Sequence, residues 1–275
     1  MITPSRRRLF VITLVAAVAA SLAAVAYANH SWGSYHWART GNPFTVKLGD
    51  NLSANWKPYL KTTSTDWSKS SVLDTTIVAG QSSARRCPAT TGRVEVCNNT
   101  YGNNGWLGIA SISASGSHIT AGTVKLNDSY FNTAKYNTSA WRNMVTCQEV
   151  GHTFGLDHQD ENFSNLNLGT CMDYTNDPTG TAGTNGPLNN EHPNQHDYDQ
   201  LVTIYNHSDS TTTVGLTAAQ RAAMDNGEWG RLVRSTNGGR TALFENDLGG
   251  GHKVFTFVTW ADPEDAEGHD EADHQ

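Results

Sequence analysis

Basic residues are scarce in this chain. Lys and Arg number 19 among 275 residues against 26 Asp and Glu, a net charge of −7. A nucleic-acid binder needs a basic face, so this balance argues against one. Charged residues of either sign reach only 16%, where a typical globular chain has about 25%. The mean hydropathy of −0.50 therefore comes from Asn, Thr, Ser and Gly rather than from ions. The composition excludes a multi-span membrane protein, a coiled coil and a low-complexity polymer, and there is no internal repeat. What is present is a foldable chain. Eight Trp are too many for a disordered protein, and 37% hydrophobic residues suffice for a core at this length.

The first 28 residues stand apart. Arg6, Arg7 and Arg8 precede an uncharged apolar stretch from Leu9 to Val25, and Ala26-Tyr27-Ala28 forms an A-x-A site. This predicts a signal peptide over 1–28 cleaved after Ala28; the alternative is a retained membrane anchor. Cleavage predicts a secreted, extracellular protein with no membrane attachment. Four cysteines remain, Cys87, Cys97, Cys147 and Cys171. An even count in an oxidising compartment reads as two disulfides, with three pairings possible. Cys87–Cys97 would close a short hairpin-like loop, which leaves Cys147–Cys171.

Local patterns set the expected elements. Phe44 to Leu48, Val72 to Val78, Val94 to Val96, Trp106 to Ile112 and Ile119 to Leu126 read as strands. Asp50 or Ser53 is the expected cap of a helix carrying Trp56, Tyr59, Leu60 and Trp67. Thr138 or Ser139 starts a helix with Trp141, Met144, Val145 and Val150 on one side. Residues 159–200 are rich in Asn, Asp, Gly, Thr and Pro, apart from a short helix from His196 to Tyr205. Thr217 to Met224 reads as a helical turn. Trp229 to Arg234, Thr241 to Phe244 and Val254 to Trp260 read as three further strands. Asp262 to Gln275 holds seven acids and no base, which predicts a solvated tail.

One stretch concentrates chemistry: Cys147-Gln148-Glu149-Val150-Gly151-His152-Thr153-Phe154-Gly155-Leu156-Asp157-His158. On a helix, Gln148 and His152 share a face, with Glu149 beside them. Gly155 permits a turn that swings His158 back toward His152. Two imidazoles, an amide oxygen and a carboxylate then surround one point. A catalytic zinc needs three protein ligands and one open position, and the carboxylate can take the proton of an attacking water.

This stretch resembles the metzincin zinc endopeptidases, whose motif is H-E-x-x-H-x-x-G-x-x-H. Glu149, His152, Gly155 and His158 match; Gln148 stands where the family has His. Thr170-Cys171-Met172-Asp173-Tyr174 is similar to the family's Met-turn in its M-x-Y form. The resemblance covers about residues 43–206. It implies a zincin-like α+β fold with a mixed twisted sheet, an active-site helix and a Met-turn over 29–207. A β-rich extension over 208–261 and an acidic tail over 262–275 would follow.

The resemblance also implies Zn2+ held by Gln148, His152 and His158, with Glu149 as general base. Tyr174 is then a candidate oxyanion donor, and Met172 lies beneath the metal. Trp106 to Ala110 looks like the family's edge strand, which pairs with an extended peptide substrate. A Cys147–Cys171 bond would tie the active-site helix to the Met-turn. The implied protein is a monomeric secreted endopeptidase acting on a protein or peptide. Gln148 opens alternatives: a weak ligand, a site completed by His118, His192 or His196, or a noncatalytic secreted binding protein on the same fold.

Overall fold

A computed structural model describes residues 29–81, 83–181, 185–216, 229–236 and 241–262. The expected signal peptide, the helical turn at 217–224 and all but Asp262 of the acidic tail lie outside the described residues.

The elements run β1 (His36–Trp37), β2 (Phe44–Asn51), α1 (Lys57–Trp67), β3 (Leu73–Ala79), β4 (Val94–Asn99), β5 (Trp106–Ser115) and β6 (His118–Asn127). Then come α2 (Asp128–Phe131), α3 (Ser139–His152), α4 (Gln195–Ile204), β7 (Arg231–Thr236), β8 (Thr241–Gly249) and β9 (His252–Trp260). The strands form one mixed sheet in the order β3-β2-β4-β6-β5-β9-β8-β7, with β1 also on β6. The fold is α+β.

The sheet has a parallel half and an antiparallel half, and chain connectivity explains both. α1 carries the chain from β2 back to a parallel β3, as a crossover requires. β5 and β6 form an antiparallel hairpin that turns at Gly116, φ +59°, and β8 and β9 turn through Gly249 to Gly251, all with positive φ.

Several elements differ from the sequence reading. Asp50 lies inside β2 and does not cap α1. Its carboxylate instead accepts from Leu52 N (3.0 Å) and pairs with Lys57 (2.6 Å). Trp56 holds the N-cap position with no side-chain bond, and Pro58 in the first turn supplies the helical φ. β1 was not foreseen, because two residues carry no period. Thr138 caps α3 by accepting from Trp141 N.

The core between α1, α3 and the sheet is dense with aromatics. Trp67 is fully buried and its indole donates to Cys147 O (3.2 Å). A second cluster forms on the opposite face of the antiparallel half, from Trp106, Ile109, Ala242 and Val258. β9 is buried from Phe255 to Thr259 and faces both. Its residues alternate, so Phe255, Phe257 and Thr259 point one way and Val258 the other.

β5 is thus no edge strand. It pairs with β6 on one side and with β9 on the other, from Trp106↔Trp260 to Ser115↔His252. The reason is distant in sequence: the three C-terminal strands complete the sheet on the side that the preceding chain leaves open.

Candidate metal centre

The site is built on the last turn of α3 and the tight turn that follows. The carbonyls at the end of a helix lack intrahelical partners. Here they are met by aromatic donors: Trp32 Nε1 to His152 O (3.1 Å), Trp37 Nε1 to Thr153 O (2.8 Å) and Tyr205 OH to Phe154 O (2.8 Å). Gly155 then takes φ +98°, and a Cβ there would lie 2.6 Å from Tyr35 O. The position therefore demands glycine, both for its backbone angle and for its space.

That turn returns His158 to His152. Their Nε2 atoms are 3.1 Å apart and the rings lie edge to face. His152 Nδ1 is 2.9 Å from Leu156 O; a carbonyl only accepts, so Nδ1 carries the proton. Burial, chiefly, holds His152 well below its ordinary pKa, so the ring is neutral and Nε2 is bare. His158 Nδ1 lies near two carboxylates, Glu161 (3.4 Å) and Asp157 (3.8 Å), without a hydrogen bond to either. The bare Nε2 of His152 thus meets Nε2 of His158 at hydrogen-bond distance, inside the protein. Two buried ring nitrogens converging on one point are the observation that fits a metal here.

Gln148 lies one turn back on α3 and is fully buried. Its Nε2 donates to Cys171 O (2.9 Å), and its Oε1 accepts from Thr259 Oγ1 (2.9 Å). The amide is thereby fixed, with one lone pair of Oε1 still available. Glu149 is also fully buried, and neither carboxyl oxygen has a hydrogen bond of good geometry. Burial pushes its pKa up to about 8, against the weaker lowering by the nearby Thr259 hydroxyl and Ala110 backbone. Gly108 of β5 makes this approach possible, because a Cβ there would meet Glu149 Oε1 at 2.6 Å.

The floor is the Met172 turn. A Cβ on Gly151 would come within 2.6 Å of Met172 Sδ and 2.7 Å of the Trp67 ring, so glycine lets the turn press against α3. Cys147 and Cys171 are bonded across the same contact, and Cys87 is bonded to Cys97. Tyr174 is buried beside His158, ring centroids 4.7 Å apart, and its hydroxyl donates to Val258 O (3.3 Å). Of the three alternative histidines, His192 bonds Asp66 (2.6 Å), His196 stacks on His30 and His118 faces Asp209 (3.3 Å).

The segment between α3 and α4 holds its shape through side chains. Asn167 Nδ2 donates to Asp177 O and Leu188 O, and Asn190 Oδ1 accepts from Gly169 N and Thr170 N. Asn190 Nδ2 donates to Asp173 Oδ2, and Leu168 N bonds the same oxygen. Burial pushes Asp173 up to about 7, partly opposed by those two donors. The folded chain therefore retains a proton that the unfolded chain releases near pH 4, and stability falls as pH rises from about 4 to 7. Asp173→Asn should flatten this decline, by no more than about 4 kcal/mol. Urea midpoints of both proteins at pH 5 and pH 8 check it; an unchanged difference between the two pH values counts against the assignment.

The residues that sequence reasoning missed come from the C-terminal strands. Phe257 stacks flat on His152, centroids 4.2 Å apart with 9° between planes. Thr259 bonds Gln148. Arg234 of β7 clamps Asp157 with two bonds (2.7 and 2.5 Å) and reaches Glu161 at 3.3 Å. Alternation along β9 announces Phe255, Phe257 and Thr259 as one face, but nothing local says what that face covers.

No family model matches the sequence, and no curated protein matches it. Among solved structures the chain is similar to high choriolytic enzyme 1, a hatching enzyme zinc-protease from Oryzias latipes (medaka fish). The identity is 11% and the TM-score 0.36, with 64% of this chain and 96% of that chain covered. Among the described residues no helix is long and apolar enough to cross a membrane.

Proposed function

We propose that the chain is a secreted, monomeric, zinc-dependent endopeptidase with a zincin-like catalytic domain. Residues 29–207 form that domain, and residues 208–261 act as an extension that covers its site. The observation that carries this reading is the pair of buried Nε2 atoms of His152 and His158, 3.1 Å apart, with Gln148 and the buried Glu149 on the same helix. His152 and His158 would hold the ion, with Gln148 Oε1 as the third donor. When bound, zinc supplies Lewis-acid polarisation of a carbonyl and acidifies water. Glu149 accepts the proton of the attacking water and passes it to the leaving amine. Tyr174 donates to the oxyanion once Val258 O has left its hydroxyl. Met172 and the Cys147–Cys171 bond hold the floor.

β9 bears on how such an enzyme works. It lies antiparallel on β5, the place an extended peptide would take by adding a strand. Phe257, Thr259 and Val258 O occupy the space over His152, Gln148 and Tyr174. Hydrolysis therefore requires β9 to leave, and the chain as folded is a latent form.

A second reading has one observation in its favour. The same filled cleft suits a secreted binding protein that keeps the fold without turnover. The two separate on one experiment. A protease recognition sequence placed within 217–228 allows β7–β9 to be cut from the folded chain. Zinc content and hydrolysis of a denatured protein are then measured before and after release. Zinc binding with turnover after release supports the enzyme; zinc binding with no turnover supports the binding protein.

Gln148 gives a sharper test of the ligand set. Gln148→His should tighten zinc by about tenfold or more, since imidazole suits zinc better than an amide oxygen. Gln148→Ala should lower occupancy. Competition with a chelator measures both, and equal affinity in all three proteins removes Gln148 from the metal.

A further inference from the structure

A second group of imidazoles lies apart from this centre and shares no residue with it. His36 of β1, His118 at the start of β6, and His207 and Asp209 beyond α4 converge on one carboxylate oxygen. His36 Nε2 is 3.4 Å from Asp209 Oδ1, His118 Nε2 is 3.3 Å from it, and His207 Nε2 is 3.8 Å from it. His36 Nε2 and His207 Nε2 are 3.2 Å apart. Zinc bonds to nitrogen and oxygen of about 2.0–2.1 Å set in a tetrahedron put the donors about 3.3 Å from one another. The spacings among His36, His207 and Asp209 fall around that value, and His118 reaches Asp209 alone.

The surroundings are those of a ligand set. His36 Nδ1 donates to Ser34 O (2.7 Å), which turns Nε2 toward the cluster. Asp209 Oδ2 is taken by Arg39, through Nη1 (2.7 Å) and the backbone N (3.1 Å), so Oδ1 alone faces the histidines. Arg39 is held in turn over the Tyr205 ring at 4.9 Å, and it also bonds His207 O. The ring of His36 stands edge-on to both His118 and His207, at 5.0 and 4.7 Å between centroids. His36 and Asp209 are buried to nine-tenths, whereas His207 and His118 are 44% and 35% exposed. A cavity of about 270 Å³, lined in part by Ser34, His36, Thr203 and His207, leads to the cluster.

We propose that His36, His207 and Asp209 bind a structural zinc ion, toward which His118 turns from Asp209 as the fourth donor. Imidazole and carboxylate are both zinc ligands, and with His118 as fourth donor no position would stay open for water. The ion would staple three segments far apart in sequence: β1, the β5–β6 turn and the chain leaving α4. β1 matters to the first centre, because its Trp37 holds the end of α3 through Thr153 O.

The test keeps the two centres separate. His152→Ala/His158→Ala removes the first centre, and its zinc content after exhaustive dialysis reports the second alone. One zinc per chain is expected, with Co2+ substitution giving the intense visible bands of a tetrahedral ion. Adding His207→Ala or Asp209→Asn to that background should weaken zinc at least about 10²-fold. His207 is half exposed, so its loss leaves the fold intact, as circular dichroism will show. No retained zinc in the His152→Ala/His158→Ala chain, or equal retention with and without His207→Ala, overturns the proposal. The result does not depend on whether the first centre binds metal or turns over substrate.

Discussion

Phe257→Ala is expected to raise both zinc uptake by the metal-free chain and hydrolysis of a denatured protein by about 10²-fold. The Phe257 ring lies flat on His152 and against Trp32, fully buried. Truncating a buried Phe to Ala costs roughly 3–5 kcal/mol. That cost falls on the closed arrangement, because in the open one the ring has already left its contacts. Every 1.4 kcal/mol changes the population tenfold, so the open fraction should grow by about 10²–10⁴ before saturation. Thr259 on Gln148, Arg234 on Asp157 and the ladder of β9 on β5 are the same in both proteins, so they set the starting population and not its change. The checks are stopped-flow zinc uptake and turnover of a labelled denatured substrate, alongside thermal melting. A lower melting temperature with unchanged uptake and turnover means that β9 is packing and not a barrier. Cutting within 217–228 should give the same gain by a route that leaves Phe257 in place.

What was legible in the sequence is what local periodicity encodes. Gln148, Glu149 and His152 share one side of α3 because of the 3.6-residue repeat. Gly155 announces the reversal that returns His158. β2 to β6 could be read from β-branched runs, and the three C-terminal strands from alternation between glycine turns. Contacts that join distant segments have no such signal. β9 could be seen as a strand, but not that it lies on β5, some 150 residues earlier. The pairing of Arg234 with Asp157 and the donation of Trp32 and Trp37 to the end of α3 are hidden for the same reason. So is the gathering of His36, His118, His207 and Asp209. The Asn-rich stretch after α3 shows no period in the sequence because its order comes from side-chain amides bonding backbone. Asp50 misled because the carboxylate suited to a helix cap serves equally well near a strand end, where it accepts from Leu52 N.

Glu149→Gln is expected to abolish turnover by about 10²–10⁴-fold while zinc stays bound, measured after β9 has been released so that access is not limiting. The substitution suits the site. In the metal-free chain burial keeps Glu149 protonated up to about pH 8, so a neutral amide of the same length replaces a mostly neutral acid. The close approach of Gly108 and Val145 leaves no room for a larger group. Melting temperature should therefore change little, whereas Glu149→Ala would open a void and confound stability with chemistry. Positive charge held between His152 and His158 favours the carboxylate form of Glu149, which is the form that takes a proton from water. An amide cannot take that proton, and this difference is what the rate reads. Three results divide the possibilities. Turnover lost with zinc retained assigns Glu149 as the base. Turnover and zinc lost together make Glu149 a ligand, displacing Gln148 from that part. Turnover retained excludes proton transfer through Glu149 and, with it, the water-activating mechanism proposed for this helix.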